Sequence, residues 1–96
     1  METVATAPTA SASSPSWCWV GGGWSSTCEA YWNQYLGGQW SIPNNTEVYM
    51  QCYTYGSSAD FNYWTNKWFR VWIPNYNMIM WMPADEVWYQ SSVGHC

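Results

Sequence analysis

Apolar and polar side chains alternate along the middle of the chain, most regularly from Thr46 to Tyr53. Val48, Met50 and Cys52 fall on one face of that stretch, and the polar and tyrosine side chains between them fall on the other. A period of two residues is typical of a strand with one buried face. The pattern therefore predicts a first strand over residues 46–53.

Three shorter strands are predicted after it, over residues 67–73, 78–82 and 87–89. Prolines and small polar residues separate them, and both residue classes favour turns. The polar and aromatic stretch 54–66 is predicted to be a long loop between the first two strands. Short strands joined by tight turns predict a mostly β fold, a small barrel over residues 40–96.

Residues 1–16 have a composition unlike the rest of the chain. They contain only Ala, Ser, Thr, Pro, Val, one Glu and the initiator Met. A segment without bulky apolar side chains cannot offset the entropy lost on ordering, so we predict a disordered arm. The arm also lacks the basic start and apolar stretch of a signal peptide.

The extension from residue 17 to residue 39 carries signals for one short helix. Residues 26–29 match the S-x-x-E capping box, in which the serine and the glutamate each bond a free backbone N–H. The Gly37-Gly38 pair is a helix stop. Tyr and Trp between these signals favour strands instead. We expect a helix over residues 29–36, with an extended segment as the alternative.

The chain has four cysteines, Cys18, Cys28, Cys52 and Cys96. An even number in a short chain with few charges predicts disulfides. A zinc site is disfavoured, because there is no C-x₂-C pair and the one histidine, His95, directly precedes the last cysteine. Three connectivities are possible. We favour the pairs Cys18–Cys28 and Cys52–Cys96, which would hold the C-terminus in place.

Disulfides and charge together limit where the protein acts. Disulfides persist in oxidising compartments, so we expect a secreted, extracellular protein whose signal peptide is absent from this chain. Six acidic and two basic residues give a net charge of −4, which argues against nucleic-acid partners and anionic membranes. The longest apolar run, residues 78–82, is far shorter than the roughly 20 residues of a membrane span, so no membrane insertion is expected.

Three motifs follow one another in the second half of the chain, TEVYMQCYTYG, NKWFRVW and WMPADEVWYQSSVGHC. Their order and spacing resemble the bacterial SH3-like domains of small secreted, actinobacterial-type proteins. The positions that correspond to the elements of that pattern are Val48, Cys52, Gly56, Trp68, Phe69, Val71, Trp81, Met82, Ala84, Val87 and Cys96. The resemblance implies an SH3-like barrel over residues 40–96 and a cell-wall peptide or glycan as ligand. Met80 and Met82 depart from it, since the family usually has Gly and Val there.

Aromatic side chains are concentrated in and beside the predicted loop. Aromatic residues make up 21% of the chain and charged residues 8%, so more rings are present than a small core can enclose. Rings with a few polar groups suit peptides or sugars. We predict a ligand-binding groove here, with the alternative that the rings only cap the barrel. The groove residues are Tyr53, Tyr55, Tyr63, Trp64 and Trp68.

Methionines at every second position of the third strand admit two interpretations. Thioethers are soft ligands that suit Cu(I), but methionine also fills gaps beside indoles. We favour packing and expect no metal and no other cofactor. A surplus of large apolar side chains also suggests self-association into homo-oligomers. The candidate residues are Trp72, Met78, Met80, Met82 and Trp88.

The sequence predicts no catalytic site. A Cys–His hydrolase needs a free thiolate, whereas the cysteines are expected to be bridged. Acid–base catalysis needs two facing carboxylates. The acids are scattered over turns and strand faces, and most of them are interpreted as solvated charges: Glu29, Glu47, Asp60, Asp85 and Glu86. We therefore expect a non-enzymatic protein, either a binding module for a cell-envelope peptide or glycan or a self-associating structural protein.

Overall fold

A computed structural model describes residues 11–21 and 27–96 of the protein. The described residues form seven strands and two short 3₁₀ turns, one at Pro74–Tyr76 and one at Ala84–Glu86. The strands are β1 (Ser16–Cys18), β2 (Thr27–Ala30), β3 (Trp40–Pro43), β4 (Glu47–Asp60), β5 (Trp64–Ile73), β6 (Met78–Pro83) and β7 (Val87–Trp88). The fold is mostly β, as predicted.

The strands form two antiparallel sheets. One has five strands in the order β6-β5-β4-β1-β7, and the other is the β2-β3 hairpin. The backbones of Tyr31 and Trp81 exchange two hydrogen bonds, of 2.8 and 2.7 Å, and so join the hairpin to β6. Neither sheet closes on itself within the described ranges, and the predicted SH3-like barrel is therefore not seen there.

The first two predicted strands are longer than the alternating pattern indicated. The stretch 54–66 is not a loop, because β4 continues to Asp60 and β5 begins at Trp64, with Ala59 opposite Thr65. Irregular register between Tyr55 and Ala59 breaks the alternation, which explains why the sequence pattern did not show a strand. The result is one long hairpin that forms the centre of the sheet.

The favoured helix over residues 29–36 is wrong: residues 29–31 are extended, as the alternative predicted, and residues 32–36 form bends and turns. Within the described residues, Thr27–Ala30 pairs with Trp40–Pro43 instead of coiling into a helix. Glu29 does not cap a helix: its carboxylate accepts hydrogen bonds from Ser41 Oγ at 2.7 Å and Gln39 Nε2 at 2.6 Å. Residue 26, the first position of the predicted capping box, lies outside the described residues. Cross-strand pairing therefore prevails over the local helix signals.

The main core lies against one face of the five-stranded sheet. Its fully buried side chains alternate along the strands, with Val48 and Met50 from β4 and Met80 and Met82 from β6. Burial of these methionines removes them from the set predicted for self-association. Met78 is only partly buried and packs at the edge of this cluster. The methionines therefore recur at every second position because alternate residues of β6 face the core.

A second, smaller cluster lies around Trp68. This side chain is 0% exposed, its ring is 5.4 Å from that of Tyr31, and its indole N–H donates to the Ser57 carbonyl at 2.8 Å. Ala59 and the partly buried Trp81 complete the cluster. Trp68 is therefore a core residue and not part of a ligand groove. The sequence pattern missed this because the residues that pack around Trp68, among them Tyr31, come from distant parts of the chain.

Two disulfides link the chain, Cys18 to Cys28 and Cys52 to Cys96, with Cα atoms 6.2 and 4.9 Å apart. This is the connectivity favoured from the sequence. The second bridge holds the C-terminal tail beside β4, where Cys96 N donates to the Tyr53 carbonyl at 2.8 Å. Two disulfides fit an extracellular protein. Within residues 11–21 and 27–96 no helix has the length and apolar character needed to cross a membrane.

Most of the predicted N-terminal arm, residues 1–10, lies outside the described residues. The following residues contact β4: Ala12 N donates to the Met50 carbonyl at 2.7 Å, and Gln51 Nε2 donates to Ser11 Oγ at 3.2 Å. Ser16 is buried and begins β1, which lies between β4 and β7 in the large sheet.

We expect Trp68→Ala to lower the free energy of unfolding by about 3–5 kcal/mol, because it empties a buried indole site. Trp64→Ala is the matched control, since Trp64 is 60% exposed and its loss should change stability by no more than about 0.5 kcal/mol. Urea unfolding of both variants measures the difference. Equal losses would contradict the burial of Trp68.

Candidate functional site: an aromatic cleft

Two exposed tryptophans face each other across β1 and β7. Trp17 and Trp88 are direct cross-strand partners, so their indoles lie on the same face of the sheet. Ser16 and Cys18, the neighbours of Trp17 in β1, are fully buried. The alternation that buries these neighbours therefore directs the Trp17 ring outward.

A third tryptophan and one amide extend this pair beyond the end of β1. Trp19 is held through its backbone N–H, which donates to the Glu86 carbonyl at 2.8 Å. Asn45 lies in the turn before β4, and its backbone N–H donates to the Cys18 carbonyl at 2.8 Å. Its φ of 68° is left-handed, a conformation that asparagine tolerates better than most residues.

Tyr89 follows β7 and completes the set of rings. Its φ of 57° places a tyrosine in the left-handed region, which costs about 1–2 kcal/mol for a residue with a Cβ. Ser16 Oγ donates to the Tyr89 carbonyl at 3.0 Å and holds this turn in place. The ring itself is 80% exposed. Strained backbone of this kind is concentrated at functional sites.

These side chains line a cleft of about 430 Å³, formed by Trp17, Trp19, Asn45, Trp88 and Tyr89. We call it the aromatic cleft. Four rings offer flat apolar faces, and one amide offers both a donor and an acceptor. Such a lining can stack against a planar or pyranose ring and orient it by hydrogen bonds.

A second cleft of about 320 Å³ adjoins it and shares two of its walls, Trp88 and Tyr89. Its other lining residues are Tyr63, Asp85, Val87 and Gln90. We call it the acidic cleft. Gln90 stabilises its floor, because the side-chain amide donates to the carbonyls of Ala84 and Val87 at 3.1 and 3.0 Å.

Asp85 shapes the acidic cleft by binding the tip of the β4–β5 hairpin. Its Oδ2 accepts backbone N–H groups from Phe61 at 2.7 Å, Asn62 at 2.8 Å and Tyr63 at 3.3 Å. Its Oδ1 is buried and has no hydrogen-bond partner among the described residues. Burial first, and then the negative charge of Asp85, raises the pKa of the Tyr63 phenol.

Asn62 connects this hairpin tip to the aromatic cleft. Its amide donates to the carbonyls of Asp85 at 2.7 Å and Trp19 at 2.6 Å, and its Oδ1 accepts the backbone N–H of Gly21 at 2.7 Å. These hydrogen bonds link the backbone next to Trp19 to the backbone next to Tyr63. The walls of the two adjoining clefts are therefore held in a fixed arrangement.

Glu86 is a fully buried carboxyl group behind the two clefts. Its Oε1 accepts the Glu29 backbone N–H at 2.7 Å, whereas its Oε2 has no partner in the part of the chain that the structure describes. Desolvation dominates and raises the pKa of Glu86 to about 9, so the group is neutral at pH 7. Burial and the nearby acids also raise the pKa of Tyr31 to about 12. The interpretation of Asp85 and Glu86 as solvated charges is thus wrong.

The structure does not bring the five predicted groove residues together. Tyr53 and Tyr55 contact each other, with ring centroids 6.0 Å apart, on a different part of the surface from either cleft. Tyr63 lines the acidic cleft, and Trp64 is exposed but lines neither cleft. Trp68 is in the core.

Among the residues predicted for self-association, Trp88 is exposed and forms a wall of both clefts. Trp72 is only partly buried and packs on Tyr49, with centroids 5.7 Å apart. Sequence reasoning missed Trp17, Trp19 and Tyr89 as site residues. The W-C-W alternation around Cys18 was the available signal, because a buried disulfide cysteine between two tryptophans places both of them on the opposite face.

No protein-family model, no curated protein and no solved structure matches this chain. The site is therefore interpreted from its own geometry.

Glu86 makes the stability of the protein depend on pH. Between its ordinary pKa of 4.5 and its folded pKa of about 9, the folded chain keeps a proton that the unfolded chain has lost. The free energy of unfolding should therefore fall as pH rises through this window, by about 1.4 kcal/mol per pH unit. We expect Glu86→Gln to remove this slope in urea unfolding series at pH 5, 6, 7 and 8.

Asp60→Asn at an exposed position is the control for this experiment and should keep the wild-type slope. Parallel pH profiles for the wild type and Glu86→Gln would show that Glu86 does not hold the proton.

Proposed function

We propose that this protein is a secreted, non-enzymatic binding module that recognises a cell-envelope glycan through the aromatic cleft. The observation that carries the proposal is the lining itself, four exposed rings with a single amide on a disulfide-linked β framework. Support also comes from the resemblance of residues 40–96 to bacterial SH3-like domains, for which a cell-wall ligand is implied.

The chemistry of the lining favours a sugar over a peptide. The apolar C–H faces of a pyranose ring match an indole surface, and the sugar hydroxyls can exchange hydrogen bonds with the Asn45 amide. Trp17 and Trp88 come from neighbouring strands about 4.8 Å apart, so they can support one ring together. A peptide would also need partners for its backbone N–H and C=O groups, and the aromatic cleft offers only one amide side chain.

The same lining supports a role in binding and not in catalysis. The aromatic cleft has no carboxylate, thiol or imidazole among its described lining residues. The acids near it have other contacts: Asp85 holds the hairpin tip, Glu86 is enclosed, and Glu47, the cross-strand partner of Trp17, accepts a hydrogen bond from the Tyr49 hydroxyl at 3.2 Å.

Binding to insoluble peptidoglycan tests the proposal. We expect the wild type to co-sediment with purified sacculi and Trp88→Ala to bind at least about tenfold more weakly, because truncation of a central aromatic contact typically costs more than 1–2 kcal/mol. Trp64→Ala is the matched control, an exposed indole that lines neither cleft, and it should bind like the wild type. Thermal unfolding of each variant checks that the fold is kept.

Amidase treatment of the sacculi separates glycan from peptide recognition. Glycan strands stripped of their stem peptides should retain the protein equally well. Binding that disappears with the peptides would establish a peptide ligand instead. No retention on any of these materials would reject the proposed function.

Self-association is the second candidate, and the outer face of the large sheet favours it. Cross-strand pairs place Tyr49, Trp72 and Ile79 in one row across β4, β5 and β6, and Ile79 is exposed at the edge strand. Sedimentation velocity over a concentration series tests this face. A monomer at every concentration would reject self-association, and a dimer disrupted by Ile79→Lys would support it.

A further inference from the structure

The acidic cleft combines three exposed rings with one buried carboxylate. Tyr63, Trp88 and Tyr89 present their rings to it, and Asp85 lines it while only 1% exposed. Three backbone N–H groups occupy Oδ2 of Asp85, and Oδ1 has no hydrogen-bond partner among the residues described. One oxygen of a buried anion is thus left without a donor at the wall of a cleft.

No basic side chain of the protein compensates this charge. The chain has only two, Lys67 and Arg70. Lys67 Nζ lies over the Tyr53 ring, 4.7 Å from its centroid, and Arg70 Nε donates to Gln51 Oε1 at 2.8 Å. Both cations are therefore engaged elsewhere, and neither of the residues that they contact lines the acidic cleft.

Rings around an anionic group are the arrangement that an ammonium ion prefers. A cation within about 6 Å of a ring centroid is attracted by the negative face of the ring, more strongly when it is desolvated. The Asp85 carboxyl group lines the same cleft, and because its Oδ1 is itself buried it acts on a cation there through its charge and not through a direct hydrogen bond. A phosphate or carboxylate on the ligand would instead be repelled by Asp85, and a neutral acetamide would gain no charge interaction.

We propose that the acidic cleft binds an ammonium group, so that the ligand of this protein is a glycan carrying free amino groups, such as a partly de-N-acetylated amino-sugar polymer. This inference rests on the proposed function. Trp88 and Tyr89 are common to both clefts, so a sugar stacked in the aromatic cleft has its substituents next to the acidic one. Asp85 then selects the charged amine over the acetylated one.

Two soluble oligosaccharides of equal length test the proposal, a glucosamine hexamer and an N-acetylglucosamine hexamer. Titration calorimetry is carried out at a pH at which the free amine is protonated. We expect the glucosamine hexamer to bind about tenfold more tightly, since cation–π contacts and the charge of Asp85 act on the protonated amine and not on the acetamide. Asp85→Asn should abolish this preference, so that the two hexamers bind the variant with equal affinity.

Asp60→Asn is the matched control, because it removes the same charge from an exposed position outside both clefts, and it should keep the preference. Added salt gives a second measurement that needs no variant. Rising ionic strength should weaken binding of the glucosamine hexamer and not of the acetylated one.

The outcomes separate the two proposals. Equal affinities for the two hexamers in the wild type would overturn the ammonium site and leave the glycan-binding function standing. Tighter binding of the acetylated hexamer would overturn it as well. Binding of neither hexamer would count against both the ammonium site and the glycan-binding function.

Discussion

Backbone N–H groups from separate segments converge on the short turn Ala84–Glu86. Asp85 binds the tip of the β4–β5 hairpin through three N–H groups, and Glu86 accepts one from β2 through its side chain and one from Trp19 through its carbonyl. Each of these segments carries part of the site or supports it. Both clefts therefore depend on polar contacts of one turn, more than on the apolar core beneath it.

This arrangement lowers the stability of the fold, because two carboxyl groups lie next to each other away from water. Three N–H groups bind the Asp85 carboxyl group, whereas desolvation and the neighbouring charge raise the pKa of Glu86 to about 9 and make it neutral at pH 7. A neutral Glu86 avoids direct repulsion between the two adjacent buried acids. Asp85 is then the acid that lines the second cleft, which is what the proposed recognition of an ammonium group requires.

The high aromatic content is divided among three environments. Trp68 and Phe69 fill the two core clusters, one on each face of β5. Rings such as Trp72 pack on neighbours at the surface. The tryptophans and tyrosines around β1 and β7 remain exposed with little ring packing of their own. An exposed group of large rings that the core does not need is expected at a binding surface, and the left-handed Tyr89 supports the same interpretation.

Local patterns in the sequence determined the β character and the inward face of Val48 and Met50, and the disulfide pairing favoured among three possibilities is the one that the structure contains. They also indicated that some rings must lie at the surface. These features depend on side-chain period and composition, which a single segment carries. Only the tertiary structure decided which rings those are. Trp68 and Trp64 look alike in the sequence, but Tyr31 and Ala59 pack around the first, whereas the second is exposed.

The site required contacts that no local pattern contains. Trp17 and Trp88 are far apart in sequence and become partners because β1 inserts between β4 and β7. Asp85 and Glu86 resemble ordinary turn acids until distant N–H groups and apolar neighbours enclose them. Burial and pairing between remote segments are properties of the whole chain. For that reason the sequence determined the kind of fold and the abundance of aromatic surface, and the tertiary structure decided where the candidate site lies and which acid lines it.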